Sequence, residues 1–105
     1  MTNDDRSQKM LDMIIAEQAN PEAWWWLSFC DSNLPKGEQF LGACIVRARG
    51  FISAIREAHK QGCNPGGEVE GLETRSDFRP LDGWTNRLLS RNECEEFDRL
   101  HNRRN

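Results

Sequence analysis

The chain lacks a long apolar segment. None of its hydrophobic runs approaches the roughly 20 residues that a membrane-spanning helix needs. Its first residues are polar and include Asp4, Asp5, Arg6, Lys9 and Asp12, which does not fit the apolar core of a signal peptide. These absences predict a cytoplasmic protein with no membrane partner.

The chain also lacks the closely spaced cysteine pairs that mark structural zinc sites. It has four cysteines and two histidines, but the closest combinations are His59 with Cys63 and Cys94 with His101. We therefore expect no bound metal and no cofactor. Because a reducing cytoplasm disfavours disulfide bridges, the cysteines are predicted to be free, buried thiols.

A signature of catalysis is missing as well. Cys30 and His59 have the chemistry of a thiolate and its base, but no third group and no family motif accompany them. Asp31 with Glu68 or Glu70 would give a carboxylate pair for hydrolysis, and solvated loop charges explain these residues equally well. The chain is therefore predicted not to be an enzyme.

The charge balance excludes a general nucleic-acid binder. The formal net charge is −3 and the sequence pI is about 5.4. Duplex binding draws its affinity from Lys and Arg side chains that displace counterions from phosphate. Duplex nucleic acid is therefore not an expected partner.

Apolar residues are scarce, at 37% of the chain. Four tryptophans and five phenylalanines must therefore supply much of the buried area. A chain of this kind often completes its core by covering aromatic faces with a second copy, so we expect a homo-oligomer.

The hydrophobic pattern predicts a helix, two strands and a second helix in succession. Residues 3–19 show the periodicity of an amphipathic helix, which Pro21 ends. Apolar strands follow at residues 24–30 and 40–47, and the second is expected to return antiparallel to the first. Residues 51–61 form a helical stripe that is closed by Gly62.

A third strand and a last helix complete the predicted fold. Residues 68–72 suit a short strand, and Ser90 with Glu93 has the capping-box spacing that begins a helix of about 11 residues. The fold class is therefore α+β, with a small antiparallel sheet in a strand-strand-helix-strand core. We expect residues 1–20 to form an N-terminal helical arm and residues 21–105 to form a single domain.

The run Trp24-Trp25-Trp26 places indoles on both faces of the first strand, because successive strand residues face opposite sides. Trp25 is predicted to share one face with Leu27 and Phe29, and Trp24 and Trp26 the other. One face suits the stacking of a base or a sugar. Core packing on one side and a dimer interface on the other is the alternative. Gly42 in the next strand is predicted to lie opposite the tryptophans and to leave room for an indole or a ligand.

The turn Asn64-Pro65-Gly66-Gly67 is the main candidate for anion binding. Consecutive amides at Gly66, Gly67 and Glu68 would form a nest for phosphate or carboxylate if the glycines adopt alternating dihedrals. A simple helix-to-strand turn is the alternative, because the dipole of a helix that has just ended repels an anion. Arg47 and Arg49 are predicted to supply positive charge beside it.

A second group of cations follows in the loop-rich part of the chain. Arg75, Arg79, Arg87 and Arg91 lie in sequence near Trp84, a mixture that suits an anionic, aromatic ligand. Ordinary surface arginines are the alternative.

Five short strings resemble a group of small hypothetical proteins of bacteria and their phages. The strings begin with Trp26-Leu-Ser-Phe29 and Gln39-Phe-Leu-Gly42, and continue with Ile45-Val46, Asn64-Pro-Gly-Gly-Glu-Val69 and Asn86-Arg-Leu-Leu-Ser90. The resemblance covers about four-fifths of the chain. It implies the same strand-strand-helix-strand core with a C-terminal helix, and it implies no activity.

These observations lead to one expected function and two alternatives. The chain is predicted to be a small non-enzymatic protein that captures an anionic, nucleotide-like ligand, which for a phage protein would sequester a signalling nucleotide. The candidate binding residues are Trp24, Trp26, Arg47, Arg49, Asn64, Gly66, Gly67 and Arg87. A protein-interaction module or inhibitor that uses the N-terminal helix and the tryptophan strand is the first alternative, and a small hydrolase is the second.

Overall fold

The computed structural model describes residues 3–101, and side chains from residue 7 onward. The protein has three helices and one antiparallel sheet, which confirms the predicted α+β class. The elements are α1 (Asn3–Glu17), β1 (Ala23–Cys30), β2 (Phe40–Ala48), α2 (Phe51–Lys60), β3 (Glu68–Glu73) and α3 (Arg91–His101).

β1 lies at the centre of the sheet, whose strand order is β2-β1-β3. Leu27 is opposite Cys44 of β2 on one side and Gly71 of β3 on the other, and both pairings are antiparallel. A register shift lies between Phe29 and Cys30. The strand that carries the tryptophan run therefore has neighbours on both edges, and only the faces of its side chains remain for other contacts.

The two faces of the sheet bury separate apolar clusters. α2 covers the first face, where Leu27, Phe29 and Val46 are buried and Trp25 is half-buried beside Phe51. α3 and the loop before it cover the second face, with its buried core of Ile45, Leu89 and Phe97 and half-buried Trp24 and Trp26. Alternation along β1 thus places the tryptophans on the faces that the sequence predicts.

Helix termini follow the local sequence signals. Ser90 and Glu93 form the predicted capping box: Ser90 N–H donates to Glu93 Oε1 at 3.0 Å, and Glu93 N–H donates to Ser90 Oγ at 3.2 Å. α2 ends at a C-cap residue, Gln61, and Gly62 follows with a left-handed φ of 77°. No helix within residues 3–101 is long and apolar enough to cross a membrane.

α1 docks on α2 through the end of the helix and the turn that follows it. The Glu17 carboxylate accepts hydrogen bonds from the N–H groups of Ile52 and Ser53, at 2.9 and 2.8 Å. Asn20 and Arg49 exchange two further bonds: Asn20 Nδ2 donates to the Arg49 carbonyl, and Arg49 Nη1 to the Asn20 carbonyl. The N-terminal helix is therefore fixed to the domain by polar contacts at its C-terminal end.

The space predicted beside Gly42 is occupied. Gly42 is opposite Phe29 rather than a tryptophan, and its φ of 132° accompanies the irregular register at that end of the sheet. A Cβ on Gly42 would lie 2.8 Å from Leu88 Cδ1 and 2.9 Å from the Leu89 carbonyl oxygen. The expectation of room for a ligand is wrong here, because the chain folds Leu88 back over this glycine.

Candidate functional site

One backbone amide of the glycine turn is already hydrogen-bonded within the turn. Gly66 and Gly67 have φ values of 93° and 79°, which glycine adopts without strain. The Gly66 N–H donates to Asn64 Oδ1 at 2.9 Å, and Gly67 packs against the Cys30 carbonyl and Leu41. The turn therefore joins α2 to β3 by satisfying one of its own amides and by close backbone packing.

Carboxylates and hydroxyls lie beside this turn. Glu68, the next residue, accepts a hydrogen bond from Ser32 Oγ at 2.7 Å. Asp31 Oδ1 accepts the Asn33 N–H at 2.9 Å and closes the neighbouring loop. These acidic side chains make the surroundings of the turn negative.

Arg47 and Arg49 lie at the other end of the sheet. Arg47 is opposite Trp24, whereas the glycine turn meets β1 at Cys30. Trp24 and Cys30 are six residue steps apart along β1, which corresponds to roughly 20 Å. The structure therefore does not bring these arginines to the turn.

Both arginines have partners where they lie. Arg47 Nε pairs with Glu22 Oε1 at 3.0 Å, and its guanidinium lies 5.4 Å from the Trp24 ring centroid. Arg49 is hydrogen-bonded to the Asn20 carbonyl. These contacts connect the α1–β1 turn to the end of β2.

Arg87 holds the loop before α3 in place. Its Nε donates to the Gly83 carbonyl at 2.7 Å, Nη1 pairs with Glu93 Oε2 at 2.9 Å, and the guanidinium lies 5.5 Å from the Trp84 centroid. The pKa of Glu93 is lowered, first by the hydrogen bond from the Ser90 N–H and then by Arg87. Arg91 lies separately, 5.2 Å from the ring centroid of Phe40.

Two of the predicted site residues line clefts: Asn64 lines one between α1 and α2, and Trp26 lines another beside α3. The cleft beside α3 has a volume of about 970 Å³ and lies between the end of β3, the loop at residues 74–79 and α3. α3 packs over β2, so the β3 side of this sheet face stays open. The cleft wall contains the aromatic side chains of Trp26, Phe78, Phe97 and His101.

The aromatic side chains of the cleft support one another. Phe97 and His101 stack with ring centroids 3.8 Å apart, and Trp26 lies 5.3 Å from Phe97 in a tilted arrangement. Phe78 contacts both Phe97 and His101, at 6.1 and 5.9 Å. The tilted pairs have the geometry that ring quadrupoles favour, and together with the Phe97–His101 stack they hold the wall in one geometry.

His101 is fully engaged by the backbone. Its Nε2 accepts the Leu81 N–H at 3.1 Å, and its Nδ1 lies 3.0 Å from the Phe97 carbonyl oxygen. Because Nε2 is an acceptor, the ring proton is placed on Nδ1, which then donates to Phe97. In this arrangement His101 fixes the loop and has no nitrogen left for a metal or for proton transfer.

Charged groups surround the cleft. Arg75 and Arg79 contribute two guanidinium groups, whereas Glu73, Asp77 and Asp98 contribute three carboxylates. Arg75 pairs with Asp77 at 2.8 Å, and this hydrogen bond and the charge of Arg75 lower the pKa of the Asp77 carboxyl. Arg79 Nη1 donates to the carbonyl oxygens of Ser76 and Phe78, at 3.1 and 2.8 Å.

The cysteines do not form a reactive or metal-binding centre in the described part of the chain. All four are free; Cys44 and Cys63 are buried, and Cys30 and Cys94 are half-buried. Burial raises the pKa of the Cys44 and Cys63 thiols, and also that of Cys94. Residues 3–101 contain no group of three or more His, Cys, Asp or Glu side chains placed to hold a metal ion.

The signals for this cleft were partly visible in the sequence. Arg75 and Arg79 stand out there as loop arginines, and Trp26 as part of the tryptophan run. Phe78, Phe97 and His101 were not combined with them, because no local spacing connects a loop, a central strand and the last helix. Their proximity is a result of the tertiary fold.

No protein-family model matches the chain, and the searches of curated proteins and of solved structures gave no match either. The fold and the cleft therefore define it only as a small α+β protein with an aromatic-walled, charged-rim cleft. Its function is argued from that geometry alone.

Proposed function

We propose that this protein is a non-enzymatic binder that captures a small, planar, anionic ligand of the nucleotide class in the aromatic cleft. The observation that carries the proposal is the combination of four aromatic side chains with Arg75 and Arg79 in one cleft of about 970 Å³. Ligand sites of 300–1,000 Å³ with mostly apolar walls and a few polar groups are typical of small-molecule binding.

Stacking supplies the main attraction in this proposal. Phe78 is half-buried and lies at the loop that borders the cleft, and Trp26 forms part of its floor. Each stacked base contributes about 1–3 kcal/mol where aromatic platforms bind nucleotides. The ligand base is therefore placed against Phe78 and Trp26, and its acidic group toward Arg79.

The charges of the rim limit the charge of the ligand. Three carboxylates and two guanidinium groups give the lining a net charge of −1, and Arg75 is already paired with Asp77. Arg79 is in no salt bridge within the described residues, although its charge also lowers the pKa of Asp77, so we assign the acidic group of the ligand to Arg79. A ligand with one phosphodiester charge, such as a cyclic mononucleotide, fits better than a triphosphate.

Calorimetry with a graded ligand panel tests the proposal. The panel contains a nucleoside, a cyclic mononucleotide, an ADP-ribose type ligand and a nucleoside triphosphate. The cyclic mononucleotide is expected to bind more tightly than the nucleoside and the triphosphate, and at 100 times its Kd to stabilise the fold by about 2.7 kcal/mol. Failure of every panel member to bind would sink the proposal.

Paired variants locate the binding. Arg79→Gln is expected to weaken cyclic mononucleotide binding, whereas the matched control Arg56→Gln, on the exposed surface of α2, leaves it unchanged. Phe78→Leu is expected to weaken it through lost stacking. Equal affinities for Arg79→Gln and Arg56→Gln would place the ligand elsewhere, and recovery of a hydrolysed ligand would indicate the hydrolase alternative.

The second candidate function is protein interaction through α1. This helix exposes Leu11 and Ile15, which are four residues apart on one face, by 50 and 67%, although one side of it faces α2. Apolar side chains exposed together on a helix mark association surfaces. The expected partner is a second copy, so sedimentation of the protein should show a dimer that Ile15→Lys dissociates, and a monomer at every accessible concentration would contradict this candidate.

A further inference from the structure

The outer edge of β3 is open. At the opposite edge of the sheet, Leu89 pairs with Ala43 of β2 through two backbone hydrogen bonds, of 3.1 and 2.7 Å. The Asn86 N–H also donates to the Ile45 carbonyl there, at 2.9 Å. β3, by contrast, pairs only with β1 within residues 3–101. The sheet is therefore covered at Ala43 and Ile45 on its β2 side, whereas its β3 side is open within residues 3–101.

The hydrogen-bond pattern shows which backbone groups of β3 face outward. The Thr74 N–H donates to the Trp24 carbonyl at 3.0 Å. The β1–β3 register, continued by one residue beyond the pair Trp25–Glu73, places Trp24 and Thr74 opposite each other. Hydrogen-bonded and non-hydrogen-bonded pairs alternate along an antiparallel ladder. Val69, Gly71 and Glu73 therefore direct their N–H and C=O groups away from β1.

The side chains along this edge carry a definite chemical pattern. α3 covers one face of the sheet over β2. On the same face, at β3, Glu68 and Glu70 are exposed and Leu72 is 65% exposed. The opposite face shows half-buried Val69 and the ring of Phe51, which packs against Gly71. A strand added here would meet the carboxylates of Glu68 and Glu70 and the side chain of Leu72 on one face. On the other face it would meet the apolar surface of Val69 and Phe51, with the exposed Glu73 at the end of the strand.

We propose that the β3 edge binds an extended segment of a partner protein that adds a fourth strand to the sheet. The segment carries two basic side chains two residues apart, opposite Glu68 and Glu70, with an apolar residue between them that packs on Val69 and Phe51. Backbone hydrogen bonds to Val69, Gly71 and Glu73 supply affinity, and the alternating side chains supply specificity. Opposite charges on neighbouring strands favour this pairing.

The same charges disfavour a second copy at this edge. Pairing of β3 with β3 of another molecule would bring the carboxylates of Glu68, Glu70 and Glu73 from both copies onto adjacent strands. Acidic side chains on an edge are a common means of preventing such self-pairing. The edge therefore selects a partner of the opposite charge.

A labelled peptide tests the proposal directly. The probe is a fluorescein-labelled peptide of alternating lysine and valine, and the control has glutamate in place of lysine. The lysine peptide is expected to bind the full chain and to lose affinity as salt is added, whereas the glutamate peptide does not bind. Equal binding of the two peptides, or binding of neither, would overturn the proposal.

Two methylated peptides separate strand addition from simple charge attraction. N-methylation of the peptide amides that face β3 is expected to abolish binding, and N-methylation of those that face solvent to leave it intact. Hydrogen exchange should slow at Val69, Gly71 and Glu73 when the lysine peptide binds. Equal affinities of the two methylated peptides would overturn the assignment. Protection of these amides that rises with protein concentration in the absence of peptide would also overturn it, in favour of pairing with a second copy.

Variants of the protein supply the last comparison. Glu70→Gln is expected to lower the affinity for the lysine peptide roughly 1.5- to 5-fold, the range for one cross-strand ion pair. The matched control Glu95→Gln, with the same charge change on an exposed position of α3, should leave the affinity unchanged. A similar loss in both variants would show that only net charge matters and would count against a site at β3.

Discussion

Gly50 lies directly against the carboxyl group of Glu17, and a Cβ at position 50 would overlap the Glu17 side chain. This contact allows a carboxylate from the end of α1 to reach the first free amides of α2, where Gly50 is the N-cap and provides no side-chain cap of its own. An anionic acceptor at that position also suits the positive end of the helix dipole. α1 and α2 are thus joined by a cap that is supplied from a distant part of the chain.

Gly50→Ala is expected to lower the free energy of unfolding by about 1 kcal/mol, the usual value of a helix cap. The reason is steric, because the φ of 177° at Gly50 is extended backbone that any residue can adopt. Urea unfolding of Gly50→Ala, Glu17→Ala and the double variant measures this loss of stability. Each single change removes the same cap, so the double variant should cost little more than either one, and full additivity would argue against this coupling.

Acid should weaken the docking of α1. Partial burial raises the pKa of the Glu17 carboxyl, but hydrogen bonds from Ser53 and Ile52 outweigh this and leave the pKa below its ordinary value of 4.5. A group with a lowered folded-state pKa contributes stability above its unfolded pKa, and this stability is lost as the pH falls through the folded value. Unfolding free energies should therefore decline as the pH falls below about 4.5.

The Glu17→Gln variant provides the comparison for this pH dependence. It should show a shallower loss of stability in acid than the parent protein, because one of the carboxylates responsible has been removed. The control Glu95→Gln makes the same chemical change on the exposed surface of α3, away from the cap. If the unfolding free energies of Glu17→Gln and of the parent protein fall equally with pH, the Glu17 cap does not contribute to the pH dependence of stability.

Gly71→Ala is expected to destabilise the protein by about 1–3 kcal/mol, the usual cost of overpacking. A Cβ at this position would overlap the Phe51 ring and would lie 3.0 Å from Leu27 Cδ2. Chemical unfolding measures the loss. In a Phe51→Leu background the ring is replaced by a smaller side chain, so Gly71→Ala should cost less stability there than in the parent protein. An equal cost in both backgrounds would point to a backbone cause.

His101→Ala is expected to loosen the loop that borders the cleft. The change removes the stack on Phe97 and the acceptor of the Leu81 N–H, and we expect a loss of about 1 kcal/mol in unfolding free energy. Exchange of the Leu81 amide should accelerate. The matched control is His59→Ala, an exposed histidine of α2, and equal effects of the two changes would contradict the bridging role of His101.

Much of the fold was predictable because its signals are local. The helix of residues 3–19 became α1, which ends at residue 17, and the strands and the second helix differ from prediction by one residue at an end. Alternation along β1 was enough to sort Trp25 from Trp24 and Trp26, since strand geometry fixes the face of each side chain. The capping box at Ser90 is likewise a short-range pattern.

The site was harder to predict because its parts come from distant elements. The sequence spacing of Arg47 and the glycine turn does not show how far apart they lie. Only the antiparallel register shows that they lie beside opposite ends of β1. Similarly, Gly42 predicted room for an indole or a ligand, but the side chain that fills the space beside it comes from Leu88.

The sequence by itself determined the element order, the α+β class and the faces of the tryptophan strand, because hydrophobic periodicity and capping act over a few residues. Only the tertiary structure decided that β1 is central, that β3 has an open acidic edge, and that Trp26, Phe78 and Phe97 meet in one cleft. These features depend on strand order and on which part of the sheet α3 covers. Both follow from the packing of the whole chain, which no local pattern encodes.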